Sequence, residues 1–251
     1  MEAQKSTHYD ADYYSSEGPA NSQRSAEQIV PLVMSLIGPR SVVDVGCGSG
    51  VWLALFREHG VERILGLDGA HVNPAWLRIP LDSFRALDLS QPFQLNQTFD
   101  LAVCLEVAEH LPRKSAAGFT ESLAQIAPVI LFSAAVPRQG GTNHINEQWP
   151  FYWRHLFEEQ GFQMLDLIRK EIWTNPEIRF WYRQNLFLFV RKELIPSRPI
   201  FLEAAQYADD LMLIHADILE RQLGIRSILR HLPKSAWRAA RHIGRRFLAP
   251  R

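Results

Sequence analysis

The sequence predicts an α/β fold: a doubly wound, mostly parallel sheet of seven strands with a helical C-terminal extension. Three observations predict it. Short runs rich in β-branched and apolar residues alternate with segments of helical periodicity. A glycine-rich stretch, Gly46 to Gly50, falls directly between one such run and one such segment. The chain has 251 residues, 47% of them apolar, enough for one sizeable domain and an appendage but short for two full domains.

The elements follow in order. Ser22 to Ile37 reads as an opening helix, with Ile29, Leu32, Val33 and Leu36 at helical spacing. Ser41 to Val45 is a buried strand, followed by the glycine turn and a helix from about Val51 to His59. Arg63 to Asp68 is the second strand, and Phe84 to Leu87 a weaker third that ends at Asp88. Phe99 to Leu105 is the fourth, and a helix spans about Ser115 to Ala127. Val129 to Val136 is almost wholly apolar, as a central parallel strand should be. Pro137 to Pro150 is a polar loop of fourteen residues, long enough to suspect function. A helix from Phe151 to Gln160 stops at Gly161, and strands over Gln163 to Arg169 and Asn185 to Arg191 close the sheet. Ile195 to Pro199, with two prolines, reads as a linker, which sets the domain at 1–194 and the extension at 195–251. In the extension a long amphipathic helix is expected over Phe201 to Leu232, broken near Gly224, and a final basic helix after Pro233.

The formal net charge is zero, which argues against a function dominated by nucleic-acid binding. The balance conceals an asymmetry. Ser197 to Arg251 holds ten Lys and Arg against five Asp and Glu, leaving seventeen against twenty-two in the body. The two cysteines, Cys47 and Cys104, lie in apolar or glycine-rich surroundings, too few for a disulfide framework and suited to a reducing compartment. Met1 to Tyr14 is polar, and no run approaches a membrane-spanning length. A cytoplasmic location is expected.

The strongest motif is Asp44-Val45-Gly46-Cys47-Gly48-Ser49-Gly50. Glycines here let the chain turn sharply and let a ligand lie against bare backbone. The helix that follows offers free amides and its positive dipole end. Asp68 ends the next strand, twenty-two residues past Gly46, where an acid accepts hydrogen bonds from a ribose diol. A dinucleotide would fit this outline too. Two details turn the reading toward S-adenosylmethionine. Asp44 would repel a pyrophosphate but attract an α-ammonium, and the third glycine follows the second by two residues rather than three.

The segment Ser41 to Phe189 resembles the class I S-adenosylmethionine-dependent methyltransferases, which are Rossmann-like. DVGCGSG resembles the family's glycine motif, LGLDG the acidic end of strand two, FRALDL the loop after strand three, and FDLAVCLEVAEHL the motif around strand four. The resemblance implies that Gly46, Cys47 and Gly48 touch the methionine moiety, with Asp44 and Gly50 in the same turn. It implies Asp68 on the ribose, Asp88 and Leu89 around the adenine, and Leu105 and Glu106 beneath the sulfonium. It leaves the acceptor open.

Two stretches offer groups for the acceptor. Glu106-Val107-Ala108-Glu109-His110 is similar to a cluster in ubiquinone-type O-methyltransferases that has been associated with a divalent metal. A single Glu/His cluster is an incomplete ligand set, so Glu109 and His110 are read as loop caps and no metal is assigned. The second stretch is the loop after the fifth strand, where open α/β sheets bind ligands. There His144 is the candidate base and Glu147 its orienting or substrate-binding partner, with Trp149, Tyr152 and Trp153 as an apolar wall. Tyr9, Tyr13, Tyr14 and Arg24 are candidates to fold over the cofactor, and Trp181, Tyr182 and Gln184 are read as packing rather than pocket.

Methyl transfer to oxygen of a polar small molecule is therefore expected, with a sugar or glycolipid head group suggested by the resemblance of HINEQWPFYW to methyltransferases of surface-polysaccharide pathways. N- or C-methylation, and a non-catalytic binding protein that keeps the fold, stay open, as does a homo-oligomer. Glycine spacing disfavours a nicotinamide oxidoreductase. In the last helix Trp237, Ile243 and Phe247 face one way, and Arg238, Arg241, Arg245 and Arg246 the other. That is the composition of a helix lying on a membrane surface.

Overall fold

The computed structural model describes residues 17–206 and 214–218. Tyr9, Tyr13, Tyr14 and the expected basic helix after Pro233 lie outside the described residues, so the readings attached to them stay sequence readings. By contacts the chain divides into two compact units, 1–213 and 214–251.

The first unit is built on a seven-stranded sheet. Its strands are β1 (Ser41–Val45), β2 (Arg63–Asp68), β3 (Phe84–Ala86), β4 (Leu101–Leu105), β5 (Val129–Ser133), β6 (Phe162–Leu165) and β7 (Phe187–Arg191), in the spatial order β3-β2-β1-β4-β5-β7-β6. Strands β1 to β5 are parallel; β7 runs antiparallel to both β5 and β6. The order reverses at β1 and β4, and at such a switch point the strand ends open a crevice. In register, Asp44 sits beside Gly66 and Val103, near the C-terminal ends of three strands.

Every residue of β1, β4 and β5 is buried, as required of strands covered on both faces. One apolar layer joins the helices α1 (Glu17–Leu36) and α2 (Val51–Glu58) to the sheet through Ile29, Val33, Leu53 and Phe56. The opposite layer packs α3 (Ala116–Ile126) and α4 (Pro150–Glu159) through Phe119, Leu123, Trp153 and Phe157. Gly50, left-handed at φ 76°, caps α2 at its N-terminus.

Within residues 22–191 the expected elements are present, and the differences have physical causes. Ala134, Ala135 and Val136 are buried but lie past the end of β5, so their apolarity reflects burial beneath a loop and not pairing. The stretch 169–185 holds two short helices that the pattern did not reveal, α5 (Arg169–Ile172) and α6 (Phe180–Asn185). Six residues or fewer carry too little periodicity to declare a helix. The supposed linker at 195–199 is 3-10 helix and then α7 (Pro199–Gln206), with Ile195 and Phe201 buried in the apolar layer. The single helix expected from Phe201 to Leu232 is not continuous, because Ile214 and His215 are non-helical. In the second unit His215 and Ile218 are buried. Both cysteines are free and buried. Among the described residues, no helix is long and apolar enough to cross a membrane.

Candidate active site

At the C-terminal ends of β1, β2 and β4 lies a cavity of about 630 Å³. Its inner wall is the turn between β1 and α2. The amides of Gly46 and Cys47 both reach the carbonyl of Leu67, at 2.7 and 3.1 Å, which ties the turn to β2. Asp68 completes the tie: Oδ2 accepts from the Gly48 amide at 2.7 Å and Oδ1 from the Gly69 amide at 2.6 Å. Burial raises the Asp68 pKa, and these two amides pull it back. Gly46 adopts φ 85°, and a Cβ there would sit 2.2 Å from Val107 Cγ2, so only glycine fits.

Asp44 is the most telling group of this wall. It is 2% exposed, and its Oδ2 has no hydrogen-bond partner. Burial first, and Asp68 second, hold its pKa well above the carboxylate range. A buried carboxylate facing a cavity without a partner suits a cationic ligand group, which is what the α-ammonium of a methionine moiety would supply. Farther along, Asp88 caps its own loop through the amide and hydroxyl of Ser90, at 2.9 and 2.7 Å.

The other end of the cavity is formed by the loops after β4 and β5. Glu106 takes the left-handed conformation at φ 55°. Gln139 Nε2 donates to its Oε2 at 2.8 Å and Asn185 Nδ2 to its Oε1 at 3.2 Å, while Asn185 also donates to Gln139 at 2.8 Å. The 3-10 turn Ala108–His110 follows. The loop after β5 doubles back onto this turn: the amides of Ile145 and Asn146 donate to the Glu109 carbonyl at 2.9 and 3.0 Å. This brings the rings of His110 and His144 edge to face, with centroids 4.9 Å apart.

Each imidazole is fixed at Nδ1. His110 Nδ1 lies 3.3 Å from the Asn143 carbonyl, and His144 Nδ1 lies 3.0 Å from Glu147 Oε1. Both partners are acceptors only, so in the neutral rings Nδ1 carries the hydrogen and Nε2 the lone pair. Burial, with His144 nearby, lowers the His110 pKa to about 4, which keeps that ring neutral at ordinary pH. Glu109 is fully buried, and neither oxygen makes a well-formed hydrogen bond. Burial and the Glu106 carboxylate hold its pKa well above the usual range, and backbone amides offset this only in part.

Of the residues singled out in the sequence, Asp44, Gly46, Cys47, Gly48, Asp68, Asp88, Leu89, Leu105, Glu106 and His144 all line this one cavity. Gly50 stands apart as the helix cap, and Glu147 lies behind His144. The expected apolar wall of Trp149, Tyr152 and Trp153 is not on the cavity. Trp153 is buried against Phe132, because its face of α4 packs on the sheet. Trp52, Trp181 and Tyr182 line the cavity instead, the first and last in edge contact at 5.4 Å. Gln139 and Asn185 escaped notice, since nothing local in their sequence marks them as partners of Glu106.

A family model described as a methyltransferase domain matches residues 20–167. No curated protein matches the sequence. Among solved structures, a sugar N-methyltransferase from Streptoalloteichus is similar at 16% identity, with 76% of this chain and 98% of that one covered and a TM-score of 0.57. A methyltransferase from Haloferax volcanii, solved with an activator protein, shares 17% identity over 73% of this chain and 97% of that one, with a TM-score of 0.54. Magnesium protoporphyrin IX methyltransferase from Synechocystis, solved with bound S-adenosylmethionine, shares 19% identity over 72% of this chain and 85% of that one, with a TM-score of 0.51. At these identities the likeness is one of fold.

Proposed function

The chain belongs to the class I S-adenosylmethionine-dependent methyltransferases, and from that premise we propose that it methylates an oxygen of a polar small molecule, of the sugar or glycolipid head-group class. The observation that carries this reading is the single cavity that runs from the glycine turn, Asp44 and Asp68 to His110 and His144. Structures of this fold are named for acceptors as different as a magnesium porphyrin and a sugar nitrogen, so the fold does not choose the acceptor. The groups at the far end of the cavity do.

The cofactor supplies an electrophilic methyl group: its S–CH₃ bond breaks with the electron pair left on sulfur, while an acceptor lone pair forms the new bond to carbon. In this reading Gly46, Cys47 and Gly48 receive the methionine moiety against bare backbone, and Asp44 holds its ammonium. Asp68 receives the ribose hydroxyls, and Asp88 with Leu89 frames the adenine. Alignment supplies most of the acceleration. A hydroxyl also needs its proton eased off as the bond forms, and the group centred on His144, backed by Glu147, does this and passes the proton to water. Gln139 and Thr142 offer polar contacts, and Trp52 and Trp181 offer flat apolar faces, a combination that suits a sugar ring. The basic, aromatic segment 234–248 would keep the enzyme beside a lipid-linked acceptor.

The test is to incubate the enzyme with methyl-labelled cofactor, cell extract and a panel of free and lipid-linked sugars, then identify the labelled product. Label recovered as an O-methyl group supports the reading. Label on nitrogen or carbon overturns the choice of oxygen, and tight cofactor binding with no transfer favours a binding protein.

A further inference from the structure

The geometry points to an ammonium subsite at Glu106: the acceptor is an amino alcohol of the amino-sugar class, held by its protonated amine and methylated on a neighbouring hydroxyl. The inference rests on the methyl-transfer reading and names the substrate class within it. The cavity wall carries four carboxylates, Asp44, Asp68, Asp88 and Glu106, and among the described residues no Lys or Arg lines it. The cofactor brings an ammonium, a sulfonium and a carboxylate, one positive charge in excess, which leaves the filled cavity negative. A phosphate, sulfate or carboxylate on the acceptor would be repelled there, and a cation drawn in. Asp44, Asp68 and Asp88 serve the cofactor in the proposed reading, so Glu106 is the carboxylate left for the acceptor.

Glu106 is held for such a role. Its backbone is left-handed at φ 55°, a conformation that a residue with a Cβ keeps only where its surroundings enforce it. Ser133 pins it there, since both its carbonyl and its hydroxyl accept from the Glu106 amide, at 3.0 and 3.1 Å. The side chain is fixed by two neutral amides, Gln139 Nε2 on Oε2 at 2.8 Å and Asn185 Nδ2 on Oε1 at 3.2 Å. Gln139 and Asn185 are buried, and the bond between them locks the pair. Neutral donors orient a carboxylate without balancing its charge. Asp166, by contrast, meets the buried guanidinium of Arg169 at 2.5 Å. Each Glu106 oxygen takes one amide of the two and keeps a further lone pair for a ligand in the cavity that the residue lines. Helix α6, which supplies Asn185, also sets Trp181 and Tyr182 in the cavity wall. Aromatic faces and a carboxylate in one cavity suit an ammonium.

Pairing with Glu106 also decides which atom reacts. An amine that stays protonated offers no lone pair to the methyl group. The hydroxyl is then the nucleophile, and its proton leaves through the group centred on His144 to water, as in the proposed reaction.

The experiment takes the principal product formed by full-length enzyme, methyl-labelled cofactor and cell extract, and reads its charge on ion exchangers at neutral pH. The product should be retained by the cation exchanger and carry its label on oxygen. Acylating the amines of the extract beforehand should abolish the labelling. With that acceptor purified, Glu106→Gln should raise its KM by about 10–100-fold, the worth of a charged hydrogen bond. The variant keeps the side-chain shape. Its unfolding temperature and its affinity for S-adenosylhomocysteine, which has no sulfonium, should stay near wild type and show that it folds. A product retained by the anion exchanger or by neither, equal labelling of acylated extract, or an unchanged KM overturns this inference and leaves methyl transfer standing. Label on the amine itself overturns it together with the choice of oxygen. Bound S-adenosylhomocysteine with no labelled product overturns the methyl-transfer reading, and this inference with it.

Discussion

Glu147 holds His144 from behind: its Oε1 lies 3.0 Å from His144 Nδ1, and the same carboxylate accepts the amides of Arg138 and Gly140. One side chain thus shapes the loop and sets the histidine tautomer. Glu147 does not line the cavity, so in the proposed reaction it would act as a positioning residue. Glu147→Gln should lower kcat by about 10–100-fold, the usual cost of losing an outer-shell partner. Acceptor KM and S-adenosylhomocysteine affinity should hold. An equal loss in cofactor affinity would mean that Glu147 merely supports the loop.

In the proposed reading Asp44 trades stability for binding. Its pKa is raised by burial and then by Asp68. Above pH about 4 the unfolded chain has released a proton that the folded chain still holds. Stability of the cofactor-free protein therefore falls as pH rises through that window. Asp44→Asn removes the penalty. In urea titrations the cofactor-free variant should be at least as stable as the wild type at pH 8 and lose its advantage toward pH 4. The same change should weaken S-adenosylhomocysteine by roughly 10–100-fold, the worth of a charged hydrogen bond. Unchanged affinity would remove Asp44 from the cofactor site.

Gly46 and Val107 are matched in shape. At φ 85° any Cβ costs about 1–2 kcal/mol in backbone strain. The 2.2 Å approach to Val107 Cγ2 adds overpacking of about 1–3 kcal/mol. Gly46→Ala should therefore destabilise by the sum of the two. Adding Val107→Ala should recover the packing part and leave the backbone part. A double-mutant cycle with zero coupling would show that Val107 does not set the size limit at Gly46.

The β1–turn–α2 unit and Asp68 were legible because their signals are local: a strand, a turn and a helix contiguous in sequence, then one acid at the end of the next strand. The acceptor end was only half legible. His144 and Glu109 were each visible, but their meeting depends on Ile145 and Asn146 pinning one loop to another, a tertiary event with no periodicity. Gln139, Glu106 and Asn185 form a cluster from two loops and the last residue of α6 for the same reason. Trp153 and Trp181 show the remaining ambiguity. Aromatic residues near a suspected site read alike, and only packing decides that the first enters the core and the second faces the cavity.

The basic segment after Pro233 makes a prediction of its own, from sequence. Arginines near an anionic surface contribute on the order of 1 kcal/mol each, and buried aromatics add to that. Full-length protein should sediment with vesicles containing anionic lipid, less so at high salt. A truncation after Pro233 should stay in the supernatant yet bind cofactor normally. Equal behaviour of the two proteins would refute membrane attachment.

His144 occupies room that Gly141 provides. A Cβ at position 141 would sit 2.1 Å from His144 Nε2 and 2.4 Å from its Cε1, so even alanine must push the ring aside. Two variants then become linked. His144→Ala should lower turnover by roughly 10²–10⁴, as expected when the group that handles the acceptor proton is lost, with cofactor affinity unchanged. Gly141→Ala should lower turnover in the same direction and by less, since the ring is displaced rather than removed. If displacement of His144 is its whole effect, Gly141→Ala should cost nothing further in the His144→Ala background. Residues that act as one unit are non-additive in this way. Steady-state kinetics on the four proteins decide the matter. Additive losses would mean that Gly141 acts on the acceptor by a separate route, and near-normal turnover of His144→Ala would reduce that histidine to a structural fixture of the loop.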